Sequence, residues 1–201
     1  MTARIVLSAV LGYLIGSVVT AIIISRLVFK EDVRTQGSGN SGATNAARVY
    51  GLRFGVLTFL GDFAKGILAC LIGRLIAGTY GFAAAGAACI AGHCFPVWFD
   101  FRGGKGVSVG AALALMLDWR IFAAAIAVFV LFAFVTRIVS VASICATLTV
   151  GVLSAVLLPE PILKALGVLA ALTVIIMHRT NIGRLILGTE KKMEFGKKKR
   201  S

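Results

Sequence analysis

Six apolar stretches close to the length of a bilayer-crossing helix occupy most of the chain: residues 5–29, 54–78, 80–99, 121–136, 138–158 and 162–177. A hydrocarbon core about 30 Å thick takes about 20 apolar residues to cross as a helix. Inside it every peptide N–H and C=O needs a partner from the same segment, which leaves such a stretch the helix and little else. A seventh stretch, residues 106–117, is shorter; at 1.5 Å per residue its apolar part covers about half of that thickness. With 59% of its 201 residues hydrophobic and 14% charged, the chain reads as an all-α, polytopic membrane bundle. Residues 1–190 form one domain, followed by a basic tail, 191–201. The first stretch is too long for a signal-peptide core and no small-residue cleavage site follows it, so it belongs to the fold. Its Gly12 and Gly16, spaced G-x-x-x-G, suit close helix packing.

The short stretch decides the topology. If it crosses, seven spans put the N-terminus outside and the C-terminus in the cytoplasm. Of the 21 Lys and Arg, 15 then lie in cytoplasmic connections and four (Arg4, Arg74, Arg120 and Lys164) outside, with Arg26 and Lys65 in helix ends. Without the six basic residues from Lys191 onward the ratio is still 9 to 4, as the positive-inside rule requires.

A formal charge of +13 raises the question of nucleic acid, but the cations are scattered over separate membrane-edge connections rather than gathered on one face. Anionic lipid headgroups and an anionic substrate are the partners that fit; the tail KKMEFGKKKR suits the lipid surface. Cys70, Cys89, Cys94 and Cys145 lie in apolar segments without C-x-x-C spacing and read as small hydrophobes. Neither a metal site nor a cofactor is expected.

Polar residues collect in four places, all cytoplasmic in this topology: GSGNSGATNAAR (37–48), FRGGKG (101–106), RIVSVAS (137–143) and HRTNIGRLILGTE (178–190). Glycines let a ligand approach the backbone, and successive amides can converge on an anion. In the first cluster Gly37 and Gly39 have that role, with Ser38, Asn40, Thr44 and Asn45 as neutral donors and Arg48 as the charge. A short helix over 43–50 would point its N-terminus at the same place. In the second, Gly103, Gly104 and Gly106 bare the backbone, Lys105 supplies a cation, and a helix begins at Val107. Two phosphate cradles are therefore expected, though a single glycine-rich turn between helices would carry no such meaning. His178 and Asn181 share a helix face, as do Ser140 and Ser143. Asp62 and Lys65, spaced i and i+3, read best as a neutralising pair, and His93 as structural.

GSGNSGATNAAR, GHCFPVWFDFRGGKGV and HRTNIGRLILGTE together resemble the three cytoplasmic motifs of the bacterial acyl-phosphate:glycerol-3-phosphate acyltransferase family (PlsY type), over nearly the whole chain to about Glu190. The resemblance implies acyl transfer from acyl phosphate to the sn-1 hydroxyl of glycerol 3-phosphate, giving 1-acylglycerol 3-phosphate and phosphate, in the bacterial inner membrane with the site facing the cytoplasm. It further implies that the Gly103–Gly106 turn with Lys105 holds glycerol 3-phosphate and that Ser38, Arg48, Lys105, His178 and Asn181 are catalytic. Ser140 and Ser143 contribute hydroxyls, and Glu190 is structural. Ser108 stands where the family usually has alanine.

The chemistry agrees with the residues. Two phosphorylated substrates match two cradles, and a long acyl chain explains an enzyme inside a bilayer. The H-x-x-x-x-D acyltransferase motif is absent, since Trp98 follows His93 by five and Gly183 follows His178 by five. No Ser-His-Asp spacing supplies a nucleophile. Positioning and charge stabilisation remain, with the substrate's own phosphate taking the proton and His178 as the alternative base. A transporter of a phosphorylated anion would show repeated halves and polar groups near the midplane, and neither is visible. A non-catalytic scaffold leaves both glycine-rich turns unexplained.

Overall fold

The computed structural model describes residues 1–193, so the basic tail beyond Met193 lies outside the described residues. The helices are α1 (Thr2–Gly16), α2 (Thr20–Ile24), α3 (Ala43–Tyr50), α4 (Leu52–Cys94), α5 (Val107–Leu117), α6 (Trp119–Thr136), α7 (Val139–Leu157), α8 (Pro161–Met177) and α9 (Arg179–Ile186). Each expected apolar stretch is helical over most of its length. Four helical stretches are long and apolar enough to cross a membrane, Thr2–Phe29, Leu52–Phe99, Trp119–Thr136 and Val139–Leu157; α8 and α9, bent by 54° between them, pass the same test only when taken together as one span.

The longest of these, α4, is broken at Ala77 (φ −143°, ψ 29°) and Gly78 (φ 60°, ψ −143°). Its two arms fold back on each other so closely that a Cβ on Gly81 would lie 2.1 Å from the Gly73 carbonyl oxygen. The sequence reading divided this region into two spans, and the break supplies the division. Against the second arm lies α1: a Cβ on Gly12 would meet the Ala85 backbone and one on Gly16 the Cys89 backbone, at 2.4 and 2.2 Å. The G-x-x-x-G spacing therefore serves close approach, as expected.

The first stretch departs from the expectation of one continuous helix. It is interrupted after Gly16, with Val19 extended (φ −100°, ψ 105°), and ends in a π-helical turn, Ser25–Phe29. An interrupted helix leaves peptide groups without partners, which is costly in an apolar interior. Here the buried pair from α4 supplies them. Asp62 Oδ1 accepts from the Thr20 amide (3.3 Å) and hydroxyl (3.0 Å), and Lys65 Nζ donates to the Val18 carbonyl (2.5 Å). The two side chains also pair with each other at 2.8 Å. Charge and broken backbone thus complete one another.

Short α5 stands at the centre, with Val109, Ala112, Leu113 and Ala114 fully buried against α4, α6, α7 and α8. Its central place explains why so short a helix can be so apolar, and it fixes the turn 95–106 that leads into it.

Candidate active site

All four polar clusters meet at one end of the bundle. Arg34, beyond the π-turn, donates from Nη1 to the carbonyls of Phe99 (2.7 Å) and Arg102 (3.1 Å), fastening the first turn to the second. Asp32 steadies it, and the Arg34 guanidinium holds that carboxyl far below the usual range. Asn40 reaches the Gly103 carbonyl at 3.4 Å. On the other side Lys105 donates to Asn181 Oδ1, and Asn181 Nδ2 donates to Glu190 Oε1 at 2.5 Å. Glu190 also accepts from Ser140 (2.8 Å) and Arg184 (2.6 Å). Burial pushes the Glu190 carboxyl up, but the donors Arg184, Asn181 and Ser140 outweigh it and hold it below its ordinary value. One ionised carboxylate therefore orients Asn181, whose oxygen then faces Lys105.

These contacts enclose one cavity of about 560 Å³ rather than two separate cradles. Its mouth is lined by Gly37, Ser38, Asn40, Thr44, Asn45, Arg48, Lys105, Ser140, Ser143, His178 and Asn181 among the expected residues. Gly39, Gly103, Gly104 and Gly106 stand behind that lining. Deeper between the helices the walls become apolar, with Phe59 from α4, Phe122 and Phe129 from α6, Val150 from α7 and Ala170 and Ala171 from α8.

The role expected of the glycine amides needs correction. The amides of Gly39, Gly103 and Gly104 donate to the carbonyls of Gln36, Cys94 and His93 at 3.0, 3.1 and 3.0 Å, so they are spent inside the chain. What their missing side chains give is room: a Cβ on Gly103 would fall 2.0 Å from the His93 carbonyl oxygen, and one on Gly104 2.1 Å from His93 Nε2. Asn45 is corrected too, because its Oδ1 accepts from the Ser38 amide and its Nδ2 donates to the carbonyls of Val33 and Gln36. It braces the turn and has no donor left for a ligand. Amides do remain at the two helix starts. Among the described residues those of Ala43 and Thr44 in α3, and of Val107 to Val109 in α5, have no backbone acceptor.

Charge at the mouth is unbalanced. Lys105, Arg48 and Arg184 converge there, and Glu190 is the carboxylate lining the cavity. Burial, then repulsion from Arg184, pushes Lys105 down to about 8, with Glu190 opposing and Arg48 adding to the repulsion. His178 is buried, and its Nδ1 lies 2.7 Å from the Val174 carbonyl. A carbonyl can only accept, so Nδ1 carries the proton and, in the neutral ring, Nε2 is left as an acceptor.

Sequence reasoning passed over Arg184 and the deeper lining. Thr147, seven residues after Ser140 and four after Ser143, continues the same helix face, and that spacing was the available signal. The aromatic lining comes from α4 and α6, which are far apart in sequence, and no local pattern marks it.

The glycerol-3-phosphate acyltransferase family matches residues 6–188. Among curated relatives, glycerol-3-phosphate acyltransferase 2 of Bacillus anthracis is 37% identical, covering 94% of this chain and 98% of its own length. The glycerol-3-phosphate acyltransferase of Syntrophotalea carbinolica is 40% identical over 91% and 94%. The crystal structure of PlsY (YgiH), an integral membrane glycerol 3-phosphate acyltransferase, in its glycerol 3-phosphate form superposes with a TM-score of 0.89 at 32% identity, covering 94% of this chain and 96% of that one. Its lysophosphatidic acid form gives 0.85 at the same identity, covering 94% and 95%.

Proposed function

We propose that this chain, which belongs to the glycerol-3-phosphate acyltransferase family, moves an acyl group from acyl phosphate to the sn-1 hydroxyl of glycerol 3-phosphate. The products are 1-acylglycerol 3-phosphate and inorganic phosphate, the first acylation of bacterial phospholipid synthesis. The observation that carries this reading is the single cavity joining a cationic mouth to an apolar interior. Both substrates bring a phosphate to the mouth, and one brings an acyl chain to the interior. The structural relatives crystallised with glycerol 3-phosphate and with lysophosphatidic acid support the acceptor and the product. Seven crossings, N-terminus outside and the mouth facing the cytoplasm, are the arrangement in the inner membrane that the charge bias favours.

In this mechanism Lys105, Arg48 and Arg184 hold the two phosphates, with the free amides at the starts of α3 and α5 as neutral donors. Ser38 and Asn181 border the same space, and Thr44 and Ser143 contribute hydroxyls, while the Ser140 hydroxyl expected to join them donates to Glu190. The sn-1 oxygen attacks the acyl carbonyl carbon, and the negative charge on the carbonyl oxygen is stabilised by donors already in position. The bond from that carbon to the phosphate oxygen then breaks, and phosphate leaves with its electron pair. The hydroxyl proton passes to the phosphate of the substrate, while His178 Nε2 accepts from the neighbouring sn-2 hydroxyl and so orients the glycerol. Catalysis is mainly proximity and charge.

The test supplies purified protein with glycerol 3-phosphate and either palmitoyl phosphate or palmitoyl coenzyme A. Release of phosphate and formation of lysophosphatidic acid with the first donor alone is expected. Turnover with the coenzyme A donor alone would reject the acyl phosphate reading. For the proton, His178→Ala should keep measurable turnover; loss of turnover with binding intact, together with loss of the acidic limb of the pH profile, would make His178 the base.

A further inference from the structure

We infer that His93 is a substrate-contacting residue whose Nε2–H donates to the phosphate of glycerol 3-phosphate beside Lys105. The inference rests on the proposed reaction and adds a residue to it. His93 closes α4, is 2% exposed and lines the cavity. Its Nδ1 lies 3.1 Å from Lys65 Nζ, and Lys65 is ion-paired to Asp62. An ammonium has no lone pair to offer, so Nδ1 is the acceptor and the neutral ring carries its proton on Nε2. The tautomer is therefore set from behind by Lys65, which Asp62 holds in turn.

On the other edge Nε2 has no hydrogen-bond partner among the described residues. Nε2 is also not among the buried unpaired side-chain atoms, so this nitrogen is open to the cavity that His93 lines, and a donor left open there can serve an acceptor from outside. Gly104 is what leaves that edge uncovered, since a Cβ there would stand 2.1 Å from Nε2. The Gly103 and Gly104 amides, bonded to the Cys94 and His93 carbonyls, seat the turn against the ring. The start of α5 follows directly, with the Val107 to Val109 amides open and the Lys105 ammonium beside them. A neutral imidazole donor, a helix N-terminus and a cation converging on one place suit a phosphate monoester.

The experiment measures glycerol 3-phosphate affinity by calorimetry, KM for each substrate and melting temperature for His93→Ala, His93→Asn, Gly104→Ala and the His93→Ala/Gly104→Ala double variant. His93→Ala should weaken glycerol 3-phosphate binding and raise its KM roughly 10- to 100-fold. The KM for palmitoyl phosphate should stay within about twofold. His93→Asn, which keeps an N–H donor, should recover part of the loss. Gly104→Ala should show the same acceptor-specific defect, and the double variant should be no worse than either single, because both remove one contact. Unchanged affinity in His93→Ala would overturn the inference. So would a double variant that recovers wild-type affinity, since the pair would then matter only for packing. If His93→Ala does not fold, Gly104→Ala alone decides by the same split between the two KM values. A wild-type protein that neither binds glycerol 3-phosphate nor transfers an acyl group would instead reject the reaction itself.

Discussion

Two groups of charges lie in this apolar chain and have opposite fates. In the interior, Asp62 and Lys65 are 0% and 7% exposed and find their partners within the fold, in each other and in the peptide groups of a broken helix. At the mouth, Lys105, Arg48 and Arg184 crowd around a cavity whose lining includes one carboxylate, Glu190. The first group draws its partners from the fold itself, apart from Asp62 Oδ2, which is buried without a hydrogen bond. The second is left with surplus positive charge, and burial, with repulsion from Arg184 and Arg48 added to it, lowers the Lys105 ammonium to about 8. A buried charge that is satisfied inside the chain reports on folding, and one that lacks an anion reports on binding. His93 touches both groups, with one nitrogen against Lys65 and the other toward the cavity.

Substitutions should separate the two groups, first at the interior pair. Asp62→Ala strands a buried ammonium and two donors, and should cost about 3–5 kcal/mol. Little folded protein should be recovered in detergent, as size-exclusion chromatography and thermal melting would report. A variant that folds normally would show that the interior pair is dispensable and the contrast false. At the mouth, Lys105→Ala or Arg48→Ala should lower kcat/KM by about 100-fold or more while the melting temperature holds or rises, because repulsion is relieved. Glu190→Gln is intermediate: Arg184 loses its ion pair and Asn181 its orientation, so activity should fall about tenfold with a modest loss of stability.

The pH dependence should be gentler. Lys105 binds phosphate in its charged form, and burial lowers its pKa to about 8. As pH rises through 8 the cation is lost from the free enzyme, so KM for glycerol 3-phosphate should climb, approaching tenfold per unit at most. Below pH 8 it should stay level until the substrate phosphate gains a proton near pH 6. A KM that is flat from pH 7 to 9.5 would contradict this role for Lys105. The smallest effect belongs to Ser143→Ala, about twofold in kcat/KM, from loss of one neutral hydroxyl on the wall.

Much of this was legible in the sequence, because apolar length and period determine where helices lie in a chain of this kind. The start of α3 at Ala43 and of α5 at Val107 followed from glycine-rich turns running into helical sequence. The interruption after Gly16 was hidden, since Ser17, Val18 and Val19 are residues a continuous membrane helix also carries and the groups that complete the break, Asp62 and Lys65, come from another helix. The sequence also suggested two cradles where one cavity exists. Glycine composition cannot say whether an amide faces a ligand or a carbonyl of its own chain, and at Gly39, Gly103 and Gly104 it is the latter. Asn45 misled for the same reason.

The surplus cations have meaning only if all the turns that carry them open on one side of the membrane. Single cysteines at Gln36, Arg102 and Thr189, with Glu160 for the opposite end, can be placed in a Cys145→Ala background, the other three cysteines being buried. An impermeant maleimide applied to intact cells and to inverted vesicles then reads the side of each. Gln36, Arg102 and Thr189 should react only in inverted vesicles and Glu160 only in intact cells, with glycerol 3-phosphate slowing the reaction at Arg102. Labelling of any two of the three mouth positions from opposite sides would contradict a shared site.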